Sequence, residues 1–171
     1  MKNDERAETI SSKLCRCSSV ERSWNLLMCL YEEPPAGRWK VLIENWNICD
    51  GLYPYRRYYL DIMRQAKSEL SPIPYMEPAD RAFYEGLPPR VTVFRGCGRR
   101  RARSLSWTTD YDRAAFFARG GRWPTPPDPV IACAEVAKEH IFFVCTSRNE
   151  QEIVLDPARI GRLRLSDLVD T

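Results

Sequence analysis

Residues 90–118, RVTVFRGCGRRRARSLSWTTDYDRAAFFA, decide the fold of this chain. The β-branched and aromatic run at 91–94 predicts a strand, and the run at 105–109 predicts a second, shorter strand. Asp110 then supplies a helix N-cap, and the apolar residues at 114–118 predict the helix that follows it. We therefore expect this part of the chain to fold as strand, loop, strand and helix.

The sequences on either side of residues 90–118 predict different elements, namely strands downstream and helices upstream. Downstream, apolar runs predict strands at 130–136, 141–145 and 152–155, with a last strand or turn at 163–168. Upstream, apolar residues at helical spacing predict helices at 18–31, 39–48, 54–70 and 78–86. Helices that come first and strands that come later indicate an α+β protein. We expect a helical N-terminal lobe over 1–88 and a compact sheet-containing core over 89–171.

Composition points to one globular domain, or to a compact domain with an appendage. The chain has 171 residues, of which 44% are hydrophobic, enough for a core and too many for a disordered protein. No apolar run approaches the roughly 18 residues that span a bilayer. The first residues are polar and partly acidic, which argues against a secretory signal. We expect a cytoplasmic protein without a membrane partner.

Histidine and cysteine usage limits the possible chemistry. His140 is the single histidine, so a metal site with two histidines is excluded, and His140 itself is expected in a loop. Seven cysteines, an odd number, suit a reducing cytosol better than a disulfide framework. A zinc site is conceivable in principle, but the usual two-residue gap is missing between the candidate ligands Cys15, Cys17, Cys29 and Cys49. We expect no metal, and chemistry carried by carboxylates, arginines and hydroxyls.

Three short motifs stand out in the second half of the chain. Phe94-Arg95-Gly96 ends the first strand, where an arginine can direct two donors to a phosphate and a glycine lets the backbone approach a flat ligand. Ser106-Trp107-Thr108 alternates along the second strand, which puts both hydroxyls on one face. Glu150-Gln151-Glu152 enters an apolar strand, and we expect its two carboxylates on one face. Each motif alone is more often an ordinary surface feature than a site.

Together, in this order, the motifs resemble the arginine–serine–glutamate class of ADP-ribosyltransferases, as found among bacterial and phage toxins. The resemblance rests on residues 93–96, 106–110 and 150–157, and it covers about residues 90–157. It implies an ADP-ribosyltransferase-like split β-sheet core that uses NAD⁺ as a substrate and needs no metal. The helices of residues 1–88 look like the helical lobe that often flanks this fold.

The resemblance also implies roles for individual residues. Glu152 would hydrogen-bond the 2′-hydroxyl of the nicotinamide ribose and stabilise its oxocarbenium-like state. Ser106 would orient Glu152 and the ribose, and Arg95 would anchor a phosphate or ribose. Gly96 would hydrogen-bond nicotinamide through its backbone. Glu150 would orient the accepting group.

Further residues have supporting roles in the same interpretation. Thr108 supports the strand beside the cofactor. Phe117 or Phe116 would stack on nicotinamide, although burial of the helix explains either residue equally well. Arg119 and Arg122 lie in the loop where the family often contacts phosphate.

The densest charge run, Arg99-Arg100-Arg101-Ala102-Arg103, lies between the first two motifs. One explanation is a solvated loop between two strands. The other is a site for an anionic acceptor or for the adenine-side phosphates, since clustered arginines attract RNA or DNA. The acceptor therefore stays open between a protein arginine and a nucleic acid.

These observations lead to three hypotheses. The first is a mono-ADP-ribosyltransferase that modifies a macromolecule, as a toxin, a defence component or a phage protein acting on its host. An antitoxin or inhibitor protein would then be a further partner. The second is an NAD⁺ glycohydrolase with water as acceptor, and the third is a catalytically inactive binding module of the same fold.

Overall fold

The structure is a computed structural model that describes residues 10–121 and 123–168, without the side chains of residues 19, 20 and 149. The chain divides into two compact units, Met1–Glu77 and Pro78–Thr171. The division lies upstream of the predicted boundary at 88/89. As a result the helix Pro78–Gly86 is counted with the sheet and not with the N-terminal helices.

The first unit is helical. A helical segment at 10–15 precedes α1 (Ser19–Glu32), α2 (Pro35–Asn45) and α3 (Arg56–Glu69). Ser18 and Glu21 form a reciprocal capping box at the start of α1, which confirms the predicted N-terminus of this helix. The core holds Leu26, Trp39 and Tyr59, each fully buried. The Tyr59 hydroxyl donates to the carbonyl of Ser23 at 2.6 Å, so this buried polar group is paired.

In the described residues of the second unit, two α-helices accompany a six-stranded antiparallel sheet. Its elements are, in chain order, α4 (Pro78–Gly86), β1 (Arg90–Gly98), β2 (Ser106–Thr108), α5 (Tyr111–Ala118), β3 (Pro129–Ala137), β4 (Ile141–Cys145), β5 (Glu152–Leu155) and β6 (Arg164–Asp167). The predicted mixture of helix and sheet is confirmed. The strands follow one another across the sheet in the order β4-β5-β2-β1-β3-β6. This order makes β5, β2 and β1 neighbours although they are far apart in the sequence.

The two faces of the sheet differ. Val93, Trp107 and Ile153 point to one face and are almost completely buried, so this face forms the core of the unit. Helix α5 packs on the opposite face through Ala114, Ala115 and Ala118, which cluster with Ile131 of β3. Asp110 caps α5 as predicted, because its Oδ1 accepts hydrogen bonds from the amides of Asp112 and Arg113. Among the described residues, no helix is long and apolar enough to cross a membrane.

Candidate active site

One row of directly opposed residues crosses the whole sheet. Cys145 of β4 pairs with Glu152, Glu152 pairs with Thr108, and Thr108 pairs with Phe94 of β1. Directly opposed residues in antiparallel strands point to the same face. The row therefore places the Glu152 carboxylate between a thiol and a hydroxyl, on the face opposite the core.

Ser106 and Glu152 are joined across the strands that carry them. Ser106 lies two residues before Thr108, on the same face of β2, so it is a diagonal neighbour of Glu152 on β5. Its Oγ donates a hydrogen bond to Oε1 of Glu152. Both side chains are half-buried. The structure thus brings together two residues 46 positions apart and holds one carboxylate oxygen in a fixed direction.

Arg95 also reaches β2, but from the core face. Strand alternation places its side chain on the side of β1 opposite Phe94. Its Nη1 donates to the carbonyl of Ser106, and its Nε donates to the carbonyl of Arg101 at 3.2 Å. The guanidinium therefore holds the backbone of Ser106, next to the hydroxyl that binds Glu152. The predicted contact between Arg95 and a phosphate or ribose stays a prediction.

Gly96 of β1 lies directly against the backbone of α5. A Cβ at this position would lie 1.8 Å from the carbonyl oxygen of Ala114 and 2.5 Å from the amide nitrogen of Ala118. Glycine is thus required here for packing of the strand against the helix. The family resemblance implies a backbone contact between Gly96 and nicotinamide, and this contact stays a prediction.

Thr108 links three segments of the site. Its buried hydroxyl donates to the carbonyl of Glu150 at 2.8 Å and accepts from the amide of Asp110 at 3.0 Å. It thereby connects β2, the N-terminus of α5 and the segment that carries Glu150. The structure gives Thr108 a positioning role, which agrees with strand support better than with direct cofactor contact.

The Thr108→Val substitution tests this link. Valine keeps the shape of the side chain but leaves the Glu150 carbonyl and the Asp110 amide without their hydroxyl partner. We expect the free energy of unfolding to fall by about 1–3 kcal/mol, measured by denaturant or thermal unfolding. Thr92→Val, at an exposed position of β1, is the matched control and should leave stability nearly unchanged. Equal stability of the two variants would contradict the role assigned to the Thr108 hydroxyl.

Glu150 lies before β5 and not within it. The strand begins at Glu152, and Gln151 between the two carboxylates has a φ of 45°, in the left-handed region. The predicted common face rested on extended backbone from Glu150 to Glu152, and this assumption is wrong. Glu150 instead ends a tight turn at Ser147–Asn149, and its side chain is half-buried. Its position is set by the loop and not by strand alternation.

We call residues 146–151 the acceptor loop. Arg148, with a φ of 60°, is a second non-glycine residue in the left-handed region, and each such residue costs on the order of 1 kcal/mol or more. The loop is fastened at its C-terminal end, where the Thr109 hydroxyl donates to Oε1 of Gln151 at 2.7 Å. At its N-terminal end, Cys145 and Ser147 share a hydrogen bond of 2.9 Å. Burial raises the pKa of the Cys145 thiol above its ordinary value, the hydrogen bonds with Ser147 partly offset this, and the carboxylates of Glu152 and Asp80 make smaller contributions that raise it.

The residues predicted around the cofactor lie on α5 and the turn after it. The rings of Phe116 and Phe117 are 5.5 Å apart, Phe116 is exposed and Phe117 is half-buried. Gly121, with a φ of 56°, lies close to both rings. The exposed Arg119 ends α5, and its carbonyl accepts from the Thr125 hydroxyl at 3.0 Å. Stacking of Phe116 or Phe117 on nicotinamide and binding of phosphate by Arg119 stay predictions. Arg122 lies outside the described residues.

The arginine run has structural contacts that its sequence did not reveal. Arg99 forms ion pairs with Asp128, at 2.9 Å, and with Asp167, so it joins the ends of β1, β3 and β6. Arg103 donates to the carbonyls of Pro157, Ile160 and Gly161 and thus holds the turn after β5. At least these two arginines serve the fold, which weakens the case for the run as a polyanion site.

The structure also shows where the histidine, the cysteines and the acidic side chains of the described residues lie. No group of three or more His, Cys, Asp or Glu side chains among these residues is placed to hold a metal ion. All seven cysteines are free thiols. His140 ends a short turn, Lys138–His140, and lies 3.7 Å from the carboxylate of Glu139.

The comparisons with known proteins add no information about this site. No family model matches the chain, and neither a curated protein nor a solved structure matches it. The function is therefore inferred from the side chains of the site themselves.

Proposed function

We propose that this protein is a mono-ADP-ribosyltransferase, which transfers ADP-ribose from NAD⁺ to a macromolecular acceptor. The observation that carries the proposal is the hydrogen bond from Ser106 to Glu152, formed across two strands that the sheet brings together. Arg95 holds the backbone of Ser106 from the neighbouring strand. The three predicted motifs thus lie on or beside the neighbouring strands β1, β2 and β5, with the Ser106 and Glu152 side chains on one face of the sheet and the Arg95 side chain on the other. The neighbouring positions of the motifs in the six-stranded sheet support its assignment as an ADP-ribosyltransferase-like core.

The reaction breaks the bond between the ribose C1′ and the nicotinamide nitrogen. The bonding electron pair leaves with nicotinamide, and positive charge develops on the ribose as in glycoside hydrolysis. The Glu152 carboxylate stabilises this charge more in the transition state than in the ground state, which is the source of the rate gain. A nucleophilic atom of the acceptor then forms the new bond to C1′ and gives up its proton.

Ser106 orients the Glu152 carboxylate before the reaction begins. A carboxylate that is free to rotate must be oriented during the reaction, whereas one held by a hydroxyl is oriented beforehand. The carboxylate oriented in this way would accept a hydrogen bond from the 2′-hydroxyl of the ribose. Glu150, on the acceptor loop, would bind or deprotonate the accepting group.

The acceptor decides between transfer and hydrolysis. Purified protein should be incubated with NAD⁺ labelled in the adenylate part, first alone and then with cell lysate. Label on protein or nucleic acid supports transfer, and treatment with protease or nuclease identifies the class of acceptor. Free ADP-ribose as the product under both conditions would make the protein an NAD⁺ glycohydrolase. No consumption of NAD⁺ under either condition would support an inactive binding module and contradict the proposal.

The Glu150→Gln substitution separates the two half-reactions. Glutamine keeps the size of the side chain but removes the charge that would orient or deprotonate the acceptor. We expect transfer to fall by on the order of a hundredfold, and hydrolysis of NAD⁺ to fall by much less, because cleavage depends on Glu152. The ratio of labelled acceptor to free ADP-ribose measures this effect. An unchanged ratio would remove Glu150 from the acceptor step.

The biological setting is proposed from the family resemblance alone. A toxin, a defence component or a phage protein that modifies its host would act in a bacterial cytoplasm. Such a protein would have an antitoxin or inhibitor as a partner. Loss of growth on expression of the wild type, and normal growth with Glu152→Gln, would support this setting.

A further inference from the structure

Asp80 lies on α4, well before the three motifs in the sequence, and the residue is 7% exposed. Its Oδ1 accepts one hydrogen bond from the amide of Thr146 at 2.7 Å and another from the Thr146 hydroxyl at 2.6 Å. Thr146 directly follows β4 and is the first residue of the acceptor loop. A buried carboxylate is unfavourable unless it is hydrogen-bonded. These two bonds therefore fix the point at which the loop leaves the sheet.

The other end of the acceptor loop is held by β2 and the residue after it. Thr108 holds the carbonyl of Glu150, and Thr109 holds the side chain of Gln151. Between the two ends, Arg148 and Gln151 have left-handed backbone conformations, which non-glycine residues keep only where the surroundings impose them. The conformation of Glu150 thus depends on anchors at both ends of the loop, and Asp80 supplies the anchor that no motif contains.

We propose that Asp80 is a positioning residue for the transfer reaction. Through Thr146 it sets the path of the acceptor loop, and so the place of Glu150 relative to Glu152 on β5. The role of Asp80 in transfer rests on the proposed function. The hydrogen bonds themselves do not depend on the reaction.

The Asp80→Asn substitution weakens this anchor with little change of volume. Asparagine keeps an acceptor oxygen but loses the charge that strengthens both hydrogen bonds. We expect transfer to fall by on the order of tenfold, since small displacements of a positioning group have large effects on rate. NAD⁺ hydrolysis should fall by less, because Ser106 and β5 hold Glu152 independently of Asp80. A general loss of stability would lower both activities by the same factor.

Lys138→Met is the matched control for a loss of stability in α4. The Lys138 ammonium donates to the carbonyls of Glu85 at 2.9 Å and Leu87 at 3.0 Å, and so holds the other end of the helix. Its loss removes an anchor of α4 without touching the acceptor loop. The ratio of transfer to hydrolysis should stay at the wild-type value. A second comparison uses Thr146→Val, which removes the hydroxyl bond to Asp80 and leaves the amide bond. Because both residues act through the same anchor, the effect of the double variant on the product ratio should be smaller than the sum of the effects of Thr146→Val and Asp80→Asn.

Trypsin cleavage after Arg148 supplies a readout that needs no activity. Arg148 is exposed. At low protease concentration, where the loop opens and closes faster than trypsin cuts, the rate of cleavage at this bond follows the population of the opened loop. We expect cleavage at this bond to be about ten times faster in Asp80→Asn than in wild type and unchanged in Lys138→Met. Faster cleavage together with a lower transfer ratio supports the proposal. Unchanged cleavage, or an equal effect of Lys138→Met, overturns it.

The same experiment separates this inference from the proposed function. If the wild type turns over NAD⁺ but Asp80→Asn alters neither the product ratio nor the cleavage rate, only the role of Asp80 fails. If the wild type shows no turnover of NAD⁺, the proposed function is wrong, and Asp80 has no role in a transfer reaction. Faster cleavage after Arg148 would in that case still support its contact with the loop.

Discussion

Gly96→Ala is expected to destabilise the sheet-containing unit more than any other single substitution that we consider. The added methyl group would lie 1.8 Å from the Ala114 carbonyl oxygen and 2.5 Å from the Ala118 amide nitrogen. Both are backbone atoms of α5, so neither can rotate away as the end of a side chain would. Either α5 must move off the sheet or β1 must bend. We expect a loss of about 3 kcal/mol in the free energy of unfolding.

Thermal unfolding followed by circular dichroism measures this effect. A loss of that size lowers the Tm of a unit of about 90 residues by roughly 12–24 °C. Gly161→Ala is the matched control, because no atom lies within 4 Å of a Cβ at that position. Its effect should stay within about 0.5 kcal/mol. A Gly96→Ala variant as stable as Gly161→Ala would show that β1 and α5 are not packed as closely as described.

Glu152→Gln is expected to reduce the release of nicotinamide from NAD⁺ by at least about a hundredfold. Glutamine can keep the hydrogen bond with Ser106, because its amide oxygen also accepts. It cannot supply the negative charge that stabilises the ribose cation. The loss should therefore appear in kcat, with a smaller change in the affinity for NAD⁺, because the missing interaction belongs mainly to the transition state.

Glu135→Gln controls for the substitution itself. Glu135 lies on β3 of the same sheet, 58% exposed, with Arg90 as an ion-pair partner at 3.6 Å. Its charge is outside the site, and such surface pairs contribute little to stability. Nicotinamide release by Glu135→Gln should equal that of the wild type. If Glu152→Gln also retains wild-type kcat and a wild-type Tm, Glu152 does not carry the reaction.

Much of the fold follows from local patterns in the sequence. Ser18 with Glu21 predicts the start of α1, and Asp110 predicts the start of α5, because each supplies an acceptor to amides that a helix leaves unpaired. The predicted strands at 141–145 and 152–155 have the observed boundaries. In each case the capping residue or apolar run lies in, or within a few positions of, the helix or strand that it determines.

The parts that could not be predicted depend on contacts between distant residues. Glu150 and Glu152 read as an extended pair, but the Thr109 and Thr108 side chains hold the intervening backbone in a turn. Arg103 reads as solvated charge, but it binds carbonyls more than 50 positions later. Asp80 reads as an acidic residue in the first turn of a helix, which is common. Only the placement of Thr146 beside it shows what this carboxylate does.

In the proposed reaction, NAD⁺ binds across β2 and β5 with its reacting carbon beside Glu152. The most direct test is a crystal structure of the Glu152→Gln variant with NAD⁺, since this variant should bind the substrate without cleaving it. We predict that C1′ or the 2′-hydroxyl of the nicotinamide ribose lies within about 3.5 Å of the side chain at position 152, with Ser106 Oγ bound to that side chain. NAD⁺ bound elsewhere on the protein, or a site that stays empty at millimolar NAD⁺, would contradict the claim.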